Sequence, residues 1–279
     1  SSTRPQILLT NDDGIQSPGL WAAAAALSEL GYVTVTAPRD QCSGMGRSLP
    51  NTSDGIIHEQ RVQVNGQEWT VYSVGGSPAQ AVLHAILEVM PQKPDLVVSG
   101  INYGENVGLG ITISGTIGAA MEAAALGYPA LAVSLEAEPR YHLTYSDEIN
   151  FSAAGYFAAY FARLMLAKSA LSEEVNLLKV DVPSDATPET SWQVTRVARQ
   201  RYYEPLPPER VSWDVAGKLT YKEAALVGKE DENTDVSVLR RKRLVSVTPL
   251  SLDMTARVDL GEFENSLRKS ESDADREAR

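Results

Sequence analysis

Short apolar runs rich in β-branched residues alternate with Ala- and Leu-rich stretches along the first half of the chain. That alternation builds an α/β fold, a mostly parallel sheet with helices on both faces. Ile7 to Thr10, Val33 to Thr36, Glu68 to Val74, Asp95 to Ser99 and Ala130 to Leu135 read as strands. Pro18-Gly19-Leu20-Trp21 opens a helix to Leu30, with Gly31 as its stop, because proline suits a first turn and glycine a helix end. Ser77 caps a second helix to about Val89, and Ser114 starts a third that ends near Gly127. Between these, Gly100 to Ile113 reads as a Gly/Asn-rich loop. Ser152 to Ala170 is an amphipathic helix, and Asn176 to Val182 and Trp192 to Arg199 are strands. Pro205, Pro207 and Pro208 then loosen the pattern before Leu219 to Val227, an extended arm or hairpin. Leu244 to Thr248 is a strand returning to the core. The expected division is a core over 1–200, an arm over 201–265 and a frayed, mixed-charge tail over 266–279.

Composition narrows the function. With 43% hydrophobic residues in 279, the chain can bury a sizeable core, and disordered, collagenous and disulfide-stapled classes are excluded. The balance of 25 Lys+Arg against 36 Asp+Glu leaves a net charge of −11, which argues against a nucleic-acid polymer or an anionic membrane as partner. An acidic protein that takes a phosphorylated ligand needs a cation. The one cysteine, Cys42, excludes an intrachain disulfide. The run Ile7 to Leu9 is too short for a signal-peptide core, and neither Ala22 to Leu27 nor Phe157 to Leu171 approaches a membrane span, so a cytoplasmic protein is expected.

Three constellations carry possible chemistry. Thr10-Asn11-Asp12-Asp13-Gly14 follows the first strand. Adjacent carboxylates at a strand end repel and lose solvent, which a divalent cation relieves, although Asn-Asp-Asp-Gly is also good turn chemistry. The phosphatase pattern Asp-x-Asp is not met, since Asn11 stands where the nucleophile would be, and no P-loop or G-x-G-x-x-G dinucleotide fingerprint occurs. Gln41 to Ser48 offers Ser43 as a metal or phosphate ligand and Arg47 as a phosphate contact, or else is a glycine-loosened surface loop. Of the histidines, His84 reads as a packed core residue, while His58 and His142 sit in polar surroundings without a motif. Ser99 to Gly108 places Asn102 and Asn106 in a glycine-rich loop, and Ser114-Gly115-Thr116 presents hydroxyls and amides at a helix N-terminus, either an anion site or an ordinary cap. Glu122, further along that helix, reads as solvated or structural.

Taken in order, Ile7 to Gly14, Ala37-Pro38 with Gln41 to Gly44, Gly76-Ser77-Pro78-Ala79, Val98 to Gly108 and Ser114-Gly115-Thr116 with Ala119 to Glu122 resemble the successive signatures of the SurE survival-protein family. The likeness continues through Pro129 to Ser134, Arg199 to Tyr203, Thr234-Asp235 and Val245 to Leu250. The resemblance implies a Rossmann-like core and a metal-dependent 5′-nucleotidase that releases phosphate from nucleoside monophosphates. It implies that Asp12, Asp13, Ser43 and Asn102 hold one divalent cation, with Asn106, Ser114, Gly115 and Thr116 around the phosphate, and that a C-terminal arm joins a homodimer or homotetramer. The oxygen ligands favour Mg²⁺ or Mn²⁺. The expected mechanism uses a metal-bound water or hydroxide, with Asp12 or Asp13 orienting or deprotonating it. Asp181 departs from the family's frequent Asn, Ile113 from its aromatic or acidic residue, and Cys42 from a polar or basic one. The rival readings are a transferase using a metal-bound nucleotide diphosphate and a non-catalytic nucleotide or metal sensor.

Overall fold

The computed structural model describes residues 4–167, 172–224 and 231–277, with side chains as far as 270. The ends of the expected helix at Ala170 and of the expected segment at Val227 lie outside the described residues, as do the last two residues of the tail. Eleven strands and six α-helices are named below as they enter the argument. Strands β1 (Gln6–Thr10), β2 (Tyr32–Pro38), β3 (Ile57–Val64), β4 (Gln67–Val74), β5 (Leu96–Tyr103), β6 (Ala130–Leu135), β7 (Leu177–Val182), β8 (Trp192–Val194) and β11 (Val245–Leu250) form one sheet in the order β3-β4-β2-β1-β5-β6-β7-β11-β8. The pairings from β4 through β7 are all parallel, and only β3 and β11 run antiparallel to a neighbour. Strands β9 (Tyr203–Leu206) and β10 (Thr220–Glu223) make a separate antiparallel hairpin.

Side-chain alternation divides the core into two layers. Ile7 and Leu9 of β1, Leu96 and Val98 of β5 and Leu131, Val133 and Leu135 of β6 pack in one cluster with α1 (Pro18–Leu27) and α4 (Ser152–Ala167). Leu8, Val97, Ala130 and Ala132 face the other side, against α2 (Pro78–His84) and α3 (Gly115–Ala125). A strand buried on both faces reads as a continuous apolar run, as these do. Their order also sets the site. From β1 the chain builds outward to β2 and β4, then returns to place β5 on the other side of β1. The carboxyl ends of β1 and β5 therefore flank the point where the winding direction reverses, the place where open α/β sheets bind ligands.

Several boundaries differ from the sequence expectation for identifiable reasons. Strand β3 departs from the expectation, because its residues are mostly exposed and polar, as suits a sheet edge. The turn signal was nonetheless present: Asn65 (φ 48°) and Gly66 (φ 74°) join β3 to β4, and Asn-Gly is the preferred two-residue hairpin turn. Strand β5 passes through Gly100 to Tyr103 instead of stopping at Ser99, by a register shift between Ser99 and Asn102. Asn102 is thus on a strand end opposite Ser134, not in a free loop. Strand β8 ends at Val194 instead of Arg199, and Asp235–Arg240 forms an unforeseen short helix, α5, capped by Thr234. Helix α6 (Leu260–Glu277) runs where a frayed tail was expected from Ser266. Among the described residues no helix is long and apolar enough to cross a membrane.

Candidate functional site

The turn after β1 is built by its outer residues and leaves the inner two for chemistry. Asn11 Nδ2 donates to the Gly14 carbonyl at 2.9 Å, and Gly14 N donates back to Asn11 Oδ1 at 3.2 Å. Gly14 has φ +94°, a left-handed conformation that glycine adopts without steric cost. The turn chemistry and the carboxylate pair are therefore both present, on different residues. Asp12 and Asp13 are 4% and 1% exposed.

Each carboxylate is held by neutral donors. Thr116 Oγ1 donates to Asp12 Oδ1 at 2.5 Å, and the Gly115 and Thr116 amides also face Asp12. The N-terminus of α3 thus receives a carboxylate from β1, as the exposed amides and the helix dipole favour. A Cβ on Gly115 would lie 2.7 Å from Asp12 Cβ and 2.9 Å from its Oδ2, so this approach needs a glycine. Asp13 Oδ2 accepts from Tyr103 N at 3.1 Å and Oδ1 from Gln41 Nε2 at 3.4 Å. Among the described residues neither aspartate forms an ion pair. Burial pushes the Asp12 carboxyl up to about 6 against the restraint of the Thr116 hydrogen bond. Burial, and then the charge of Asp12, raises Asp13 well above the usual carboxylate range.

The other expected residues gather around this pair with different commitments. Cys42 N donates to the Asp12 carbonyl at 2.7 Å, which brings the loop bearing exposed Ser43 beside the aspartates. Asn102 Nδ2 donates to the carbonyls of Gly104 (2.8 Å) and Tyr103 (3.3 Å), so Oδ1 is its atom left for a cation. Asn106 Nδ2 donates to Ser134 Oγ at 2.8 Å. Ser114 Oγ accepts from Ile117 N as the N-cap of α3 and keeps its own proton to donate. The Thr116 hydroxyl is committed to Asp12.

The structure decides two open readings and changes a third. Arg47 is not a free phosphate contact, since its Nε lies 2.6 Å from Glu122 Oε2 and ties its loop to α3. Glu122 is structural, not solvated, because it is 6% exposed in that pair. His84 is half-buried at the end of α2 and bonds Glu88 instead of packing in the core. His142, which lacked any motif, is buried, with Nε2 2.9 Å from the Ala137 carbonyl and Nδ1 3.0 Å from Tyr221 Oη of the hairpin. Its own carbonyl accepts from Gln41 Nε2 at 2.9 Å, so Gln41 links it to Asp13. No local pattern marks Tyr145, whose hydroxyl donates to the Asp13 carbonyl at 2.7 Å, or His142, and the signature that contains Gln41 gives it no role of its own, because each acts across the fold.

The donor set suits a hard cation. Two buried carboxylates, an amide oxygen and a nearby hydroxyl fit Mg²⁺ or Mn²⁺, while no group of three or more His, Cys, Asp or Glu side chains placed to hold a metal ion occurs among the described residues.

The family model "Survival protein SurE" matches residues 7–204. The chain is 44% identical over 263 residues to the 5′-nucleotidase SurE of Thermococcus gammatolerans, covering 94% of this chain and 96% of that one. It is 38% identical over 270 residues to the 5′-nucleotidase SurE of Methanosarcina barkeri, covering 94% and 98%. The crystal structure of the Sure protein from Aquifex aeolicus superposes with a TM-score of 0.68 at 32% identity, over 96% of this chain and all of that one.

Proposed function

The chain belongs to the SurE survival-protein family, and on that premise we propose that it is a 5′-nucleotidase hydrolysing nucleoside monophosphates to nucleoside and phosphate with one divalent cation, Mg²⁺ or Mn²⁺. The observation that carries this reading is the buried pair Asp12–Asp13, raised in pKa and without an ion-pair partner among the described residues. Asp12, Asp13, Ser43 and Asn102 would hold the cation. When bound, it supplies positive charge to the phosphoryl oxygens and makes water a stronger acid.

The protein's own residues do the rest. Thr116 and the α3 amides fix one Asp12 oxygen, and Tyr103 N and Gln41 fix Asp13, so both carboxylates are oriented before substrate arrives. Asp12 or Asp13 orients the attacking water or accepts its proton as the water oxygen bonds to phosphorus and the bond from phosphorus to the nucleoside oxygen breaks, and that proton, or one from solvent, completes the nucleoside hydroxyl. The Ser114 hydroxyl and the Asn106 side chain donate to the phosphate oxygens, while Gly115 and Thr116, whose amides face Asp12, bring the positive end of the α3 dipole to them. Phosphate monoesters are among the slowest uncatalysed reactions, so this preorganisation together with the cation must lower the barrier by more than about 20 kcal/mol. A homodimer or homotetramer joined through 201–265 belongs to the same proposal.

The deciding experiment measures phosphate release from 5′- and 3′-nucleoside monophosphates with Mg²⁺, with Mn²⁺ and with EDTA. Metal-dependent release from the 5′ esters is expected. Saturable nucleotide binding without product would establish a sensor, and turnover of nucleotide diphosphates alone a transferase.

A further inference from the structure

Behind the loop that carries Asn106 lies a buried charged triad with no part in the proposed chemistry. Lys179 and Asp181 of β7 and Asp235 of α5 are each fully buried. Lys179 Nζ bonds Asp181 Oδ2 and lies 3.2 Å from Asp235 Oδ2. The carboxylates also receive amides from a single loop. Asn106 N donates to Asp181 Oδ1 at 2.8 Å and Gly108 N to Asp235 Oδ2 at 3.1 Å. Asp235 Oδ1 accepts two more amides, from Ala198 and Val236, both at 2.9 Å.

Beside the Asn106 side-chain bond to Ser134 and the Gly104 amide bond to the Leu135 carbonyl, the Asn106 and Gly108 amide bonds hold the backbone of the loop from behind. Residues 104–107 have no helix or strand of their own, and the glycines at its ends, Gly104 and Gly108, have φ +102° and +58°. Amide bonds to a carboxylate are stronger than bonds between neutral groups. Two buried carboxylates that share a site repel, however, and an ammonium between them offsets both the repulsion and the lost solvation.

We propose that Lys179 is a positioning residue: by bridging Asp181 and Asp235 it holds both carboxylates against the amides of Asn106 and Gly108, and so sets the phosphate-binding loop without touching substrate. This rests on the reading that Asn106 serves the phosphate.

The test compares wild type with Lys179→Met and Lys179→Met/Asp181→Asn. In the double variant the side-chain carbonyl introduced at position 181 can still accept from the Asn106 amide, and Asp235 keeps its amide donors. Each protein is assayed for hydrogen exchange of amides 104–108, KM and kcat for a nucleoside 5′-monophosphate, Mn²⁺ affinity by calorimetry, and melting temperature. Lys179→Met is expected to speed exchange at Asn106 and Gly108 about tenfold and to lower kcat/KM by about ten- to a hundredfold, chiefly through KM, with Mn²⁺ affinity within about twofold of wild type. The double variant is expected to recover exchange and KM to within about threefold of wild type.

A folded Lys179→Met protein with wild-type exchange and KM overturns the proposal, as does a folded double variant that recovers neither. If Lys179→Met alone does not fold, the double variant decides: wild-type loop protection supports the role, and unprotected amides refute it. If wild type hydrolyses no nucleotide, the proposed function fails, while exchange in the variants still decides whether Lys179 holds the loop.

Discussion

Asp181 and Asp235 are buried with a lysine between them, whereas Asp12 and Asp13 are buried as deeply with only hydroxyl, amide and glutamine donors around them. Burial opposes the Lys179 charge, yet Asp181 and Asp235 together hold its pKa above the ordinary lysine value. Burial raises Asp181 as well, but there the Lys179 charge pulls against it. The triad is self-contained, with its cation supplied by the chain. Among the described residues the Asp12–Asp13 pair has no such cation, and both its carboxyls are pushed up with no positive side chain there to restrain them. A folded protein maintains a repulsive pair of this kind only where the surrounding structure compels it, and such places concentrate at functional sites. The difference separates a structural use of buried charge from a functional one, on side chains of the same type.

The sharpest way to break this comparison is Asp13→Asn. Phosphate release should fall by at least about a thousandfold, equivalent to about 4 kcal/mol of transition-state stabilisation, and should stay lost at saturating metal. The metal-free variant should melt above wild type, because one of two repelling charges is gone. Retained activity would remove the aspartates from the chemistry.

In the triad the same kind of change should have the opposite character. Asp235→Ala leaves Lys179 with one partner and strands the amides of Ala198 and Gly108, so denaturant unfolding should show a loss of about 3–5 kcal/mol.

Gly115→Ala tests the fit between α3 and Asp12. Its Cβ would press on Asp12 Cβ at 2.7 Å, so kcat should fall about a hundredfold, while Gly110→Ala, with nothing within 4 Å of the added carbon, should leave it unchanged.

The smallest effect is in pH. A carboxyl whose folded value is raised from 3.8 to about 6 contributes stability that is present below 3.8 and lost as pH rises through about 6. The metal-free melting temperature of wild type minus that of Asp12→Asn should therefore drop by a few degrees between about pH 4 and about pH 7, and saturating Mn²⁺ should abolish the drop.

How much was legible in advance depended on how local the cause was. The carboxylate pair was visible because β1 ends in Asn-Asp-Asp-Gly, and its turn is closed by bonds within that tetrapeptide. The Ser114 cap was visible for the same reason, a hydroxyl bonding an amide three residues ahead. The role of Arg47 stays open in the sequence because its partner, Glu122, comes from a helix far along the chain. The edge strand β3 was missed although Asn65-Gly66 announced its hairpin, since exposed strands lack the apolar run that marks buried ones.

By itself, then, the amino-acid order determined the alternation of strands and helices, the two-faced core and the residues from which a cation and phosphate site could be assembled. Those follow from periodicity, capping and short-range hydrogen bonds. The tertiary structure alone decided which carboxylates lack a cation and which have one. Lys179, Asp181 and Asp235 become a triad only when α5 docks on β7, and Asp12 meets Thr116 only across the sheet. Burial and charge pairing are properties of packed neighbours, and packing brings together residues that no local pattern relates.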